Sequence, residues 1–100
     1  MDNIKVVTIC GSMKYQEKMM EIATKLELEN NYCVLQCVYE LENVSVNDID
    51  HLARLHRKKI EISDAIFVVN VDGYIGSTTK NEIAYAKSLG KEIIYLEKKD

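Results

Sequence analysis

Four short runs of β-branched residues alternate along this chain with three segments of helical period, and no proline interrupts them. This alternation limits the possible folds more than any other feature. A strand followed by a helix and a second strand forms a right-handed unit in which the two strands are parallel. The pattern leaves no room for a linker or repeat, so the sequence predicts one domain over residues 1–100.

The predicted strands cover residues 4–10, 33–38, 64–69 and 92–96, and the predicted helices cover residues 13–28, about 45–62 and about 79–89. Ser45 or Asn47 caps the second helix, and Gly90 ends the third. Apolar side chains form one stripe on each of the first two helices: Met19, Ile22, Ala23 and Leu26, then Ile49, Leu52, Ala53, His56 and Ile60. The fold class is therefore α/β, a small flavodoxin-like or Rossmann-like three-layer sandwich with a four-stranded parallel sheet in the order 2-1-3-4.

Composition excludes several classes of partner. The chain is 47% hydrophobic and 29% charged, as in an ordinary globular domain, and its net charge is −3. That charge argues against binding nucleic acid through a basic surface. No apolar run reaches the length needed to span a membrane. We expect a cytoplasmic protein without nucleic-acid or membrane partners.

The three cysteines, Cys10, Cys33 and Cys37, are an odd number, and their spacing fits neither a disulfide framework nor a set of zinc ligands. Free thiols in a reducing compartment fit better. Cys33 and Cys37 would share one face of the second strand and pack as small hydrophobic residues. The sequence predicts no metal site and no cofactor.

Ligands in open parallel sheets bind above the carboxyl ends of the strands, where the strand order reverses. In the predicted order this crevice lies between strands one and three, beside loops 10–14, 39–46 and 70–79. The loops there supply glycines, hydroxyls, one lysine and two aromatic rings for a sugar, phosphate or base: Cys10, Gly11, Ser12, Met13, Lys14, Tyr39, Gly73, Tyr74, Gly76, Ser77, Thr78 and Thr79. Asp64, which opens the third strand, either contacts the ligand or holds neighbouring backbone.

Three residues in this region each admit two interpretations. Cys10 could be a nucleophile at a helix N-terminus, although its loop serves better as a rest for an anion or sugar. Glu82 is either a catalyst in the first turn of the third helix or the partner of Thr79 in a capping box. His56 is either a histidine at the edge of the core or a catalytic group.

Three segments in this order resemble the nucleoside 2-deoxyribosyltransferase superfamily, and most closely its 2′-deoxynucleoside 5′-phosphate N-hydrolases. The first segment is Cys10-Gly-Ser-Met-Lys14 and the second is Ile62-Ser-Asp-Ala-Ile-Phe-Val-Val69. The third is Thr79-Lys-Asn-Glu-Ile-Ala-Tyr-Ala86, followed by Leu89-Gly-Lys-Glu-Ile-Ile94. Together they span nearly the whole chain.

The resemblance implies that Glu82 is the nucleophile that attacks the anomeric carbon of a nucleoside or nucleoside 5′-monophosphate. It also implies a homodimer or larger assembly whose subunits complete one another's sites. A carboxylate near a helix N-terminus is expected to stay ionised at neutral pH. The chain departs from the family at two positions, with His56 in place of an aspartate and Thr78 in place of a glycine. A non-catalytic nucleotide-binding module on the same fold is therefore the alternative function.

Overall fold

The structure, a computed structural model, describes residues 3–39 and 42–98. Strands and helices alternate along the chain as β1 (Val6–Gly11), α1 (Gln16–Asn30), β2 (Cys33–Leu35), α2 (Val46–Ile62), β3 (Ala65–Val69), α3 (Ser77–Ser88) and β4 (Glu92–Tyr95). Short 3₁₀ turns at Met13–Tyr15 and Val71–Gly73 follow β1 and β3. None of the helices in the described ranges has the length and apolar content needed to cross a membrane.

All neighbouring strands are parallel, and their order is β2-β1-β3-β4. The predicted fold class and strand order are therefore confirmed. All five residues of β3 are buried, because the strand pairs on both edges and is covered on both faces.

Two apolar clusters occupy opposite faces of the sheet. On one face, α1 contributes Met19, Ile22, Ala23 and Leu26, which are the four residues of its predicted stripe. On the other face, Ile60 of α2 and Ile83 and Ala86 of α3 pack against β1 and β3. The layers are thus one helix, the sheet, and two helices.

A buried hydroxyl pair fastens the C-terminal end of α2 to β1. The Thr8 and Ser63 hydroxyl oxygens lie 2.6 Å apart, so one hydroxyl donates to the other. The Lys59 carbonyl oxygen lies 3.0 Å from the Thr8 hydroxyl and 2.7 Å from the Ser63 hydroxyl, and it accepts from the one that remains free to donate. Ser45 begins the helix with a reciprocal capping box, in which it accepts from the Asp48 amide and Asp48 accepts from the Ser45 amide. These bonds fix the position of α2 over the sheet.

The structure does not show one of the two interpretations of Glu82. The capping box between Thr79 and Glu82 does not form, because α3 begins at Ser77 with Gly76 as its N-cap. Thr79 is instead a buried residue of the first turn, and Glu82 lies in the second turn.

The second strand also differs from its prediction. It ends at Leu35, so Cys37 lies beyond it and is half-buried, while Cys33 is exposed. The short edge strand leaves Cys33 exposed, whereas Cys37 packs against the core on the α1 face, as predicted. Gly90, by contrast, has the positive φ (72°) of the predicted helix end.

Candidate functional site

A cavity of about 450 Å³ opens above the carboxyl ends of β1 and β3. Its volume lies in the usual range for small-molecule sites. The described residues that line it come from the end of β1 and the loop after it, the segment after β2, α2, the loop after β3, and the start of α3: Gly11, Ser12, Met13, Cys37, Val38, Ile49, Leu52, Ala53, Leu55, His56, Lys59, Tyr74, Gly76, Ser77, Thr78, Thr79 and Glu82. The cavity thus lies at the crevice that the strand order predicts.

Three reactive side chains from three separate elements meet at one end of this cavity. His56 Nε2 of α2 lies 3.6 Å from Cys10 Sγ of β1 and 3.6 Å from Glu82 Oε2 of α3. Cys10 is fully buried beneath the cavity, whereas the side chains of His56 and Glu82 line it with 10% and 18% of their surface exposed. We call these three residues the floor cluster. Glu82 thus projects into the crevice and leaves its own helix terminus uncapped.

Burial controls the protonation of this cluster. It raises the pKa of Glu82 to about 7, and the adjacent Cys10 thiol and the Arg57 guanidinium offset only part of that rise. Burial also lowers the pKa of His56 to about 4, with a further contribution from the Lys59 cation. Desolvation therefore opposes the expected effect of the helix N-terminus, which is to keep Glu82 ionised at neutral pH.

Burial lowers the pKa of His56 to about 4 and raises the pKa of Glu82 to about 7, so it favours the neutral form of both partners and opposes an ion pair at their 3.6 Å contact. Burial also raises the pKa of Cys10 well above its usual range and the pKa of Cys37 to about 11. A thiol in that state is not a nucleophile at neutral pH, which argues against the cysteine-catalysis interpretation.

The start of α3 brings hydroxyl groups and the amides of a helix N-terminus to the cavity. Gly76, the N-cap of α3, has no side chain, so among the described residues the helix begins without a side-chain cap hydrogen bond. Ser77 and Thr78 follow it, are exposed, and line the cavity. Such a helix end, with two hydroxyls, suits an anionic group.

Gly11 lines the cavity, but packing explains why it is glycine. A Cβ at this position would lie 3.2 Å from the Met19 sulfur and 3.3 Å from both the Cβ and the carbonyl oxygen of Val69. The restriction to glycine at this position therefore comes from the core residues that pack against the loop.

Ten of the predicted site residues lie on the cavity surface: Gly11, Ser12, Met13, His56, Tyr74, Gly76, Ser77, Thr78, Thr79 and Glu82. Lys14 lies at the rim, with its Nζ 3.7 Å from the centre of the Tyr74 ring. Gly73 is exposed on the 3₁₀ turn with a φ of 78°. Neither Lys14 nor Gly73 lines the cavity.

Tyr39 and Asp64 lie elsewhere. The Tyr39 ring packs against the core on the α1 face, and its buried hydroxyl has no hydrogen-bond partner within residues 3–39 and 42–98. Burial raises its pKa to about 12. Asp64 precedes β3, at the amino edge of the sheet, and accepts a hydrogen bond from the Val6 amide at 2.8 Å. It therefore holds backbone, which is the second of its two predicted roles.

Sequence reasoning missed the apolar wall of the cavity. Ile49, Leu52 and Ala53 belong to the predicted apolar stripe of α2, and all three line the cavity, with Ile49 49% exposed. Only His56 and Ile60 of that stripe are buried. The signal was the length of the stripe, since a 17-residue helix spans roughly 25 Å and extends past a sheet with such short strands.

The protein has a three-layer α/β fold, with a cavity of about 450 Å³ at the switch point of its parallel sheet. Compared with known proteins, the chain matches no family model, no curated protein and no solved structure.

Proposed function

We propose that this protein cleaves or transfers at the N-glycosidic bond of a nucleoside or nucleoside 5′-monophosphate, with Glu82 as the nucleophile. The observation that carries the proposal is the position of the Glu82 carboxylate, at the end of a cavity with one apolar wall and one hydroxyl-bearing helix terminus. The resemblance of three sequence segments to the nucleoside 2-deoxyribosyltransferase superfamily supports the same reaction.

The cavity offers a different surface to each part of a nucleotide. The apolar side chains of α2, together with Val38 and Tyr74, suit a flat base. The N-terminus of α3 suits a 5′-phosphate. Ser77 and Glu82 are separated by about 7.5 Å along the helix axis, which leaves room for a sugar between phosphate and carboxylate.

The proposed chemistry has two steps. A carboxylate oxygen of Glu82 attacks the anomeric carbon, and the bond from that carbon to the base nitrogen breaks with its electron pair on the base, which takes a proton from solvent. Water then attacks the anomeric carbon, releases the sugar with a new hydroxyl, and regenerates the carboxylate. An acceptor base in place of water gives transfer.

The test is release of free base from a panel of deoxynucleosides and their 5′-monophosphates, measured by chromatography. Glu82→Gln should lower the rate by at least about 100-fold. Glu17→Gln makes the same chemical change at an exposed site on α1 and should leave the rate unchanged. Turnover that survives Glu82→Gln would remove the assigned role.

The pH profile separates two roles for the same carboxyl group. A nucleophile must be ionised, so the rate should rise with pH through about 7, the pKa of Glu82. A general acid must be protonated, so its rate would fall over the same range. A rate that falls with pH would support Glu82 as a general acid at the same site and would contradict its role as the nucleophile.

A nucleotide-binding module without catalysis is the second candidate. Of the cavity-lining residues within 3–39 and 42–98, Glu82 is the one carboxyl group, whereas glycoside hydrolysis ordinarily uses two. His56 is neutral at pH 7 and cannot act as a cationic acid toward the leaving base. Stabilisation of the fold by a nucleotide, without release of base, would favour this candidate.

A homo-oligomer and a cytoplasmic location stay predictions. Val46, Ile49 and Leu55 on α2 are 74%, 49% and 46% exposed and supply apolar surface for a second copy, which would lie beside the cavity because Ile49 and Leu55 also line it. Sedimentation equilibrium across a range of protein concentrations measures the assembly. A monomer at all concentrations would contradict it.

A further inference from the structure

The floor cluster consists of one sulfur, one imidazole nitrogen and one carboxylate oxygen, all within 4.8 Å of one another. Each atom comes from a different rigid element, because Cys10 lies on β1, His56 on α2 and Glu82 on α3. The separation of 3.6 Å between His56 Nε2 and Glu82 Oε2 exceeds the roughly 3.2 Å limit of an N–H···O hydrogen bond. Cys10 Sγ lies within hydrogen-bond distance of His56 Nε2, and the three ligand atoms together surround a common point.

These separations match the edges of a tetrahedral metal site. With zinc bonds of about 2.3 Å to sulfur and about 2.0–2.2 Å to nitrogen and oxygen, the S···N and N···O edges are about 3.6 and 3.4 Å. The observed values are both 3.6 Å. The third edge, from sulfur to oxygen, needs to be about 3.6 Å and is no longer than 4.8 Å here. A small rotation of the partly exposed Glu82 side chain closes it.

We propose that Cys10, His56 and Glu82 form a binding site for a divalent transition-metal ion such as Zn²⁺, with the fourth coordination position open to the cavity. Binding releases the thiol proton of Cys10 to solvent and leaves the imidazole neutral. Thiolate and imidazole ligands select zinc or cobalt over magnesium and calcium, which prefer all-oxygen sites. His56 and Glu82 line the cavity and provide the path of entry.

The inference does not rest on the proposed function, because the metal is detected without substrate. A metal on Glu82 blocks its attack on an anomeric carbon, so the turnover assays above are run with a chelator present. The test of each proposal can therefore fail independently of the other.

The experiment titrates chelator-treated, full-length protein with Co²⁺, followed by absorption. We expect saturation at one equivalent, with a thiolate-to-cobalt charge-transfer band and the visible bands of tetrahedral cobalt. Zn²⁺ should displace the cobalt and abolish both signals, and Mg²⁺ should not.

Variants assign the ligands. Cys10→Ser should remove the charge-transfer band, and Glu82→Gln should weaken binding by more than the roughly 10- to 100-fold that loss of an outer-shell partner costs. Glu82 is partly exposed, so its glutamine variant tests the site even where Cys10→Ser does not fold. Cys33→Ser and His51→Gln change an exposed thiol and an exposed imidazole and should leave the spectrum and affinity unchanged.

The outcomes that would overturn the proposal are equally specific. They are the absence of saturable binding, a charge-transfer band that persists in Cys10→Ser or disappears in Cys33→Ser, or an affinity that is unchanged in Glu82→Gln.

Discussion

Replacing Glu82 by glutamine should change the pH dependence of folding in a direction that the burial of the site fixes. The pKa of this carboxyl group is 4.5 in an ordinary environment and about 7 in the folded protein. The folded state therefore holds the proton more tightly than the unfolded state. The stability that Glu82 contributes is fully present below pH 4.5 and is lost as pH rises through about 7.

The magnitude follows from the two pKa values. One pKa unit corresponds to about 1.4 kcal/mol, so ionising the buried carboxyl costs the folded state about 3 kcal/mol by pH 8. Glutamine has nearly the same shape and carries no charge at any pH. The free energy of unfolding of Glu82→Gln minus that of the wild type should therefore rise by about 3 kcal/mol between pH 4.5 and 8.

His56→Gln is the matched control, because the expected change has the opposite sign. Burial lowers the pKa of His56 from 6.5 to about 4, so its contribution to stability is present above pH 6.5 and lost as pH falls through 4. The difference between His56→Gln and the wild type should fall by about 3 kcal/mol from pH 4 to 6.5.

Urea unfolding followed by circular dichroism, in chelator-containing buffers from pH 4 to 8, measures both differences. The chelator keeps the two groups free of metal. A difference for Glu82→Gln that stays level with pH, or falls, would show that the carboxyl group is solvated in the folded state. The reasoning about a desolvated cavity floor would then be refuted.

Three further substitutions test the packing around the cavity, each by its change in the free energy of unfolding. Gly11→Ala should cost about 1–3 kcal/mol, because the new methyl group meets the Met19 sulfur at 3.2 Å; no loss would show that the loop can move away. Ser45→Ala should cost about 1 kcal/mol through loss of the α2 capping box, and an unchanged midpoint would mean that water replaces the cap. Asn70→Ala should cost about 2 kcal/mol or more, because the buried amide bonds both the N–H and the carbonyl of Glu97, at 2.9 and 3.0 Å; a cost below 0.5 kcal/mol would contradict that pairing.

Local sequence pattern was enough to predict most of the scaffold. The stripe of α1 is buried at all four predicted positions, and the alternation of strands and helices gave the parallel sheet in its observed order. Periodicity works here because the side chains that share a helix face are three or four residues apart, and the handedness of each crossover leaves few topologies. The position of the cavity followed from the strand order.

Local sequence pattern did not predict burial where burial depends on segments that are distant in the sequence. Cys33 is exposed because β2 is a short edge strand, and the first half of the α2 stripe lines a cavity because the helix extends beyond the sheet. Helical period reports which residues share a face of α2, but not what that face contacts.

The sequence by itself determined the strands, the helices, the sheet order and the presence of a carboxyl group near the start of the third helix. The meeting of Cys10, His56 and Glu82 was decided only by the tertiary structure, because their separation depends on how α2 and α3 lie across β1. The tertiary structure also decided the protonation of these three side chains, because their pKa values depend on desolvation and on charges that distant segments of the chain bring close.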